Sequence, residues 1–490
     1  MFRRSAVAAF VLLACGDDTG STSASTSATS TTGTPTNTTG TPTSTASDTT
    51  AGTTAEPPVT CGAIPVAIVC PPVDPDVDID MDGRHDTLVH DPDELAILAG
   101  CTDILGSLYI EAGVADLTPL ADLRCIAGTL VLTGPFDNDS ALTSLAGLEA
   151  LESVGGLRLL HLAVTSLAPL AGLKDIPNQL ELAVLPQLTS LEGLHNVEHV
   201  GELALSGHPS LRDLTGLRGL QRVDTHLSLA SLDLLIDLHG LEALAEVGDP
   251  GGEPSRVTLA GMHALTSADG LGFPWHAAHA VWISDVALPD LSLLAGAVEL
   301  HSLLLQHNDA LLDLAGLDSL AVIHDTFTVE KHAALTDFGP LPALQQPGDV
   351  RLSGLTELTS LSGLAGLTTL GSLVLEDVEA LTDLADLAAL TQVDRSLELR
   401  GDDTLGTLAD LPMLTSIGGH LTIVVNPALL QTEAVAWGAA VDVGTYRKIA
   451  GNKGDVAPPA DPCPWVEDGE CDEGAVCAGG TDKTDCVFGD

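Results

Sequence analysis

The chain has 490 residues, 68 of them acidic against 18 Lys and Arg, for a formal net charge of −50. That balance excludes a nucleic-acid binder, which needs a basic face to neutralise phosphates, and it excludes attachment to anionic lipid through protein charge. Hydrophobic residues make up 45 %, yet no run of 18 or more apolar residues occurs, so the apolar content does not lie in membrane spans.

At the N-terminus Arg3 and Arg4 precede an apolar run from Ala6 to Ala14, then Cys15. A charged start, a short apolar core and a small residue before the cut read as a secretory signal over residues 1–14. An ordinary signal peptide or a buried helix is the plainer alternative. The stretch Leu12-Leu13-Ala14-Cys15 resembles a bacterial lipobox. That resemblance implies cleavage before Cys15, acylation of that residue and a membrane contact made through lipid. Because Gly16 rather than Asp follows, it also implies delivery to the outer membrane, with the protein exposed at the cell surface. Residues 15–58 continue mostly in Ser, Thr, Gly, Pro and Ala. Such a segment buries too little to offset its ordering entropy and reads as a disordered tether.

Setting Cys15 aside from nine cysteines leaves eight. Cys61, Cys70, Cys101 and Cys125 lie at one end of the long middle segment, and Cys463, Cys471, Cys477 and Cys486 at the other. An even set in an exported chain implies disulfides. Residues 59–107 read as an N-terminal cap. Within it Asp78-Ile79-Asp80-Met81-Asp82-Gly83, extended by Asp74 and Asp76, begins like a calcium loop, but the twelfth position is Val89 instead of Glu. A solvated acidic entry segment is the simpler account.

Residues 108–425 carry one repeating frame. Leu142, Leu145, Leu148, Leu151 and Val154 lead to Leu157 and Leu159; Leu188, Leu191, Leu194, Val197 and Val200 lead to Leu203 and Leu205. Fourteen such strand starts recur from Leu108 to Leu421, mostly 22–24 residues apart, with insertions at Gly134–Asp139 and Gly248–Ser255. A fixed period of this size means a solenoid. Spacing of three fits neither α-helix nor strand; it fits short 3₁₀ turns, whose side chains eclipse every third residue. The apolar-x-apolar piece is a strand with two residues in and one out.

The stretch from Leu98 to Ile110, with Cys101 and Ile104-Leu105-Gly106 before the strand at Leu108, resembles the opening of the receptor L-domain group of leucine-rich repeats. Ile126-Ala127-Gly128 repeats it one coil later. The fold class that follows is a leucine-rich-repeat solenoid of parallel β coils with short 3₁₀ turns, about fourteen in number. A regular Asn at the turns is missing, so Asn-lined turns are not expected. If Ile104 matches Ile126, a Cys101–Cys125 bond follows, leaving Cys61–Cys70, as one of three connectivities. Residues 426–459 read as a C-terminal cap, with a helix over 429–442 and Trp437 packing on the last coil.

The outward residue of each strand would form a ladder that includes Tyr109, Arg158, Glu181, Trp282, Leu304, Arg351 and Glu398. Solenoids bind along such a face, and Trp282 beside Leu304 is its most site-like pair, because Trp is enriched at interface hot spots. The competing account has Trp282 covering the coil whose frame Phe273-Pro274-Trp275 breaks. His195-Asn196-Val197-Glu198-His199 fits a zinc-peptidase spacing, but the repeat frame denies it the long helix that this chemistry needs. Arg400-Gly401-Asp402 looks adhesive and lies just past a strand. No P-loop, nucleophile elbow or dinucleotide turn occurs, so no enzyme is expected.

Residues 460–490 are too few for an apolar core and need cross-links or a metal. Asp468-Gly469-Glu470-Cys471-Asp472 and Asp482-Lys483-Thr484-Asp485-Cys486 resemble the Notch-type calcium-binding repeat. The resemblance implies calcium held by Asp468, Asp472, Asp482 and Asp485. The tail has four cysteines where that family has six, so a purely disulfide-held knot stays open. Together these features describe a lipid-anchored surface binding or adhesion protein, recognising a protein or glycan along its strand face. The alternative is a structural envelope or matrix spacer cross-linked through calcium.

Overall fold

A computed structural model describes residues 86–136, 140–249, 252, 254–276 and 278–455. They form a parallel β solenoid. Its main ladder has sixteen strands: β1 (Thr87–Val89), β2 (Leu108–Ile110), β3 (Cys125–Thr133), β4 (Ser153–Leu160), β5 (Asp175–Ala183), β6 (His199–Ser206), β7 (Leu227–Ala230) and β8 (Ser255–Met262). It continues through β9 (His279–Val286), β10 (Ser302–Gln306), β11 (Thr326–Glu330), β12 (Asp349–Ser353), β13 (Leu373–Glu376), β14 (Leu397–Arg400), β15 (Leu421–Val424) and β16 (Arg447–Ala450). The fourteen strands expected from the repeat are all present, and the ladder runs one strand further at each end. Val89 pairs with Ile110, and Ile449 with Ile423.

The leucines of the frame stack coil on coil into one continuous core, most of them fully inaccessible. Each coil can bury its leucines only against its neighbours, so the array is held by nearest-neighbour contacts. Spacing of three gives 3₁₀ turns as expected, at Thr118–Leu120, Ala168–Leu170, Thr215–Leu217, Ser292–Leu294, Ser362–Leu364 and Ala385–Leu387. What starts each turn is a polar side chain just ahead of it. The carboxylates of Asp116, Asp213, Asp237, Asp290, Asp313, Asp337 and Asp383 accept from the backbone N–H two residues on. The hydroxyls of Ser144, Ser166, Ser190, Ser267, Ser360 and Thr407 do the same. These are Asx and ST turns, which hold the chain in a tight bend without a long helix.

A second, two-residue strand precedes many of the main strands. Thr369–Leu370, Gln392–Val393, Ser416–Ile417 and Asp442–Val443 pair in order, for example. Its single apolar residue is the last one of the frame, so one strand per coil was an incomplete expectation.

The turn after each main strand is built by two further positions. Two residues past the last inward residue the backbone is left-handed in thirteen coils; Gly occupies five of these, and Val184 and Val425 also adopt it, at φ 55° and 59°. For a β-branched residue this is strained. One residue later a polar residue is buried in six coils, His208, Asn308, His332, Asp402, Asn426 and Asn452; Asn lines the turn in three of them, against the expectation of turns without Asn. Asn308 accepts from Val286 N–H (3.1 Å) and donates to Ile283 C=O (2.9 Å). Asn426 accepts from Asp402 N–H and donates to Leu399 C=O; Asn452 does so one coil on. His208 reproduces this with its ring, Nδ1 accepting from Leu185 N–H (3.3 Å) and Nε2 donating to Leu182 C=O (3.0 Å). Only the neutral ring can do both, and burial pushes its pKa down to about 4. Asp402 accepts from Val378 N–H (2.9 Å) through one oxygen and leaves the other enclosed without a partner. Burial, reinforced by Asp377, Glu376 and Asp403, pushes its pKa up to about 7. The ladder is missed in sequence because three residue types share it.

At the ends, helix α1 (Pro92–Ala96) is capped by Asp91, whose carboxylate accepts from Asp93 and Glu94 N–H. Helix α2 (Gln431–Ala440) falls inside the expected 429–442 and closes the last core layer with Ala434 and Trp437. A Cβ on Gly438 would sit 2.6 Å from Ile449 Cδ1, so glycine lets α2 approach β16 that closely.

Candidate binding face

Parallel register sets the outward ladder as expected. Arg158 stands beside Glu181, then Ala204, Ser228, Thr258, Trp282, Leu304, Thr328, Arg351, Val374, Glu398 and Thr422, with Leu88 and Lys448 added at the two ends. The face is uneven. Arg158 Nε donates to Glu181 Oε2 at 2.6 Å. Beyond this pair Ala204, Ser228 and Thr258, flanked by Ser206, Ala230 and Ala260, make a smooth strip of small, half-exposed residues. Trp282 walls this strip, and Leu304 backs the wall. The Trp282 ring is half-exposed, but its Nε1–H is enclosed and has no acceptor. Leaving such a donor unmatched costs about 1–3 kcal/mol.

The irregular coil at Phe273-Pro274-Trp275 immediately precedes β9. That coil is closed by its own rings: Phe273 against Trp275 at 4.8 Å, Trp275 against His279 at 5.2 Å, and His276 stacked on His279 at 3.7 Å. Trp275 Nε1 donates to Leu293 C=O, and His279 Nε2 to Val247 C=O, both at 2.8 Å. Burial holds His279 down at about 4. Gln221, Arg222, Glu246, Val247, Pro274 and His276 line an adjoining groove of about 380 Å³.

Towards the far end the face becomes polar. Glu398 accepts from Arg400 and lies 2.9 Å from His420 Nε2, and the His420 ring stacks on Tyr446. Burial works against the Glu398 carboxylate, but His420 and Arg400 outweigh it and hold its pKa down. Several outward positions are not open as the ladder reading expected: Val131, Thr328, Val374 and Thr422 are buried.

The remaining candidates are dispersed. His199 lies between Asp175 (2.6 Å) and Asp224 (2.8 Å) in an ion-pair chain with Arg222, whereas His195 contacts Glu192. Burial opposes charge on His199, but its two carboxylates raise its pKa. His195, Glu198 and His199 therefore do not converge, and among the described residues no group of three or more His, Cys, Asp or Glu is placed to hold a metal. The Asp402 carboxylate is turned into its turn, so the Arg-Gly-Asp tripeptide presents no acid to a partner. Cys101 and Cys125 are buried and disulfide-bonded. Cys15, Cys61, Cys70, Cys463, Cys471, Cys477 and Cys486 lie outside the described residues, as do the calcium candidates Asp468, Asp472, Asp482 and Asp485.

No family model matches the chain, and no curated protein matches it at a significant level. Among solved structures, an internalin of Listeria monocytogenes is similar at 19 % identity and a TM-score of 0.37, over 68 % of this chain and 83 % of that one. A leucine-rich-repeat protein of Leptospira interrogans is similar at 17 % identity and a TM-score of 0.28, over 72 % and 92 %. The likeness extends to the coiled architecture alone.

Proposed function

We propose that this chain is a lipid-anchored scaffold at the bacterial cell surface that binds a protein or glycan along the middle of its strand face. The observation that carries the reading is Trp282, a half-exposed indole with a sheltered, unpartnered N–H at the edge of a smooth strip. A flat strip accepts a flat partner, and the exposed part of an indole at its edge supplies apolar contact. The tether over residues 15–58 supplies reach from the membrane.

The test is a screen of the secreted form, residues 16–490, against arrays of glycans and extracellular proteins, repeated with Trp282→Ala. A partner held by the strip loses about tenfold or more in affinity with the variant, the range expected for a hot-spot Trp. Partners retained equally by both proteins would move binding elsewhere.

A further inference from the structure

Three positions just ahead of the last main strands carry chemistry that the middle of the strand face does not use. Ser396, His420 and Tyr446 directly precede β14, β15 and β16, whose register sets them side by side. Side chains alternate along a strand, so these three share the strand-face side with Glu398, two residues after Ser396. Ser396 Oγ lies 2.9 Å from His420 Nδ1, and Glu398 Oε1 lies 2.9 Å from His420 Nε2. The other oxygen of that carboxylate, Oε2, accepts from Arg400 Nε at 2.9 Å. The Tyr446 ring stacks on the imidazole with 4° between the planes. Both the acid and the plane of the imidazole are therefore held in place.

A carboxylate only accepts, so the ring nitrogen facing it carries the proton. In a neutral imidazole the other nitrogen then keeps its lone pair. That nitrogen is Nδ1, and the Ser396 hydroxyl donates to it. Hydroxyl, base and orienting acid in this arrangement activate a serine, and the arrangement is recognised by geometry, whatever the chain order. We propose that Ser396 is an activated nucleophile that takes the acyl group of an ester, with His420 as general base and Glu398 as the positioning residue. Oγ bonds to the acyl carbon, its proton passes to Nδ1, and the alkoxide leaves with that proton as an alcohol. Water then attacks the acyl-serine and gives a proton to Nδ1. Return of that proton to Oγ releases the carboxylic acid and restores the hydroxyl. Ser372 stands at the same place one coil before Ser396, a second hydroxyl for the developing oxyanion. Nothing in these steps depends on what the middle of the strand face binds.

A fluorophosphonate probe and a p-nitrophenyl ester test the proposal on the whole secreted chain, residues 16–490. Peptide mass spectrometry is expected to find the probe on Ser396 in the folded chain and not in urea, which separates the hydroxyl from its base. The probe attaches about a hundredfold more slowly with His420→Gln, the usual range for losing a general base. Ester hydrolysis is lost with Ser396→Ala. With Glu398→Gln kcat falls while KM holds, a split that a purely structural role would not produce. Folded chain that leaves Ser396 unlabelled, or labels it equally fast with His420→Gln, would overturn the proposal.

Discussion

His208 and Asp402 stand at the same place in their coils, three residues past the last inward strand residues Leu205 and Leu399. Both are buried, and both hold the backbone of the preceding coil. Their neighbours Asn308, Asn426 and Asn452 do the same with an amide, which carries a donor and an acceptor at any pH. Imidazole matches that amide only when neutral, and a carboxyl only when protonated. One turn geometry thus acquires two opposite dependences on pH.

The largest effect is expected at Asp402. Its folded-state pKa of about 7 lies above the ordinary carboxyl value, so the folded chain keeps the proton. The stabilisation is complete below the unfolded value, 3.8, and is lost as pH rises through 7. Asp402→Asn restores the amide, and the loss between pH 4 and pH 8.5 shrinks by about 4 kcal/mol, measured as urea unfolding at both pH values. An unchanged pH slope would mean that Asp402 is hydrated in the fold.

His208 runs the other way. Its folded pKa of about 4 lies below 6.5, so stability is present above 6.5 and lost as pH falls towards 4. His279 and His332, both held down by burial, act in the same direction. With His208→Asn the drop between pH 7 and pH 4 shrinks by about 3 kcal/mol, and the midpoint of acid unfolding moves down. A variant that unfolds at the same acid midpoint would place the acid weakness at the other two rings.

The smallest effect concerns the residue just before this position. Val184 is left-handed there, where Gly207 serves one coil later. Val184→Gly raises stability by about 1 kcal/mol, the usual cost of that conformation for a residue with a Cβ. Differential scanning calorimetry at pH 7 reads it as a higher Tm, and a lowered Tm would show that Val184 packing outweighs the strain.

The core of this fold was legible because Leu and Val carry it alone: a strict apolar frame leaves no other period open. The turns were not, because their work is shared among chemically different residues. Asp and Ser alternate at the turn starts, His, Asn and Asp at the buried turn position, and Gly fills fewer than half of the left-handed sites. The two outermost strands also escaped notice. Thr87–Val89 has a single fully apolar inward residue, and Arg447–Ala450 opens with two charges where the frame has an apolar residue and a spacer. At the candidate site the Trp282–Leu304 pairing followed from register, whereas the shelter around the indole N–H is a property of the folded neighbourhood and leaves no trace in spacing.

The side chains that open the turns carry a broader implication. A carboxylate and a hydroxyl perform the same bond there, as Asp213 and Ser166 do in coils of the same plan. Exchanging one for the other leaves the backbone unmoved and changes the charge of the side remote from the strand face. Seven Asp residues now occupy such places. The charge of the chain can therefore drift by as many units, adjusting solubility and mutual repulsion, while the strand face stays untouched.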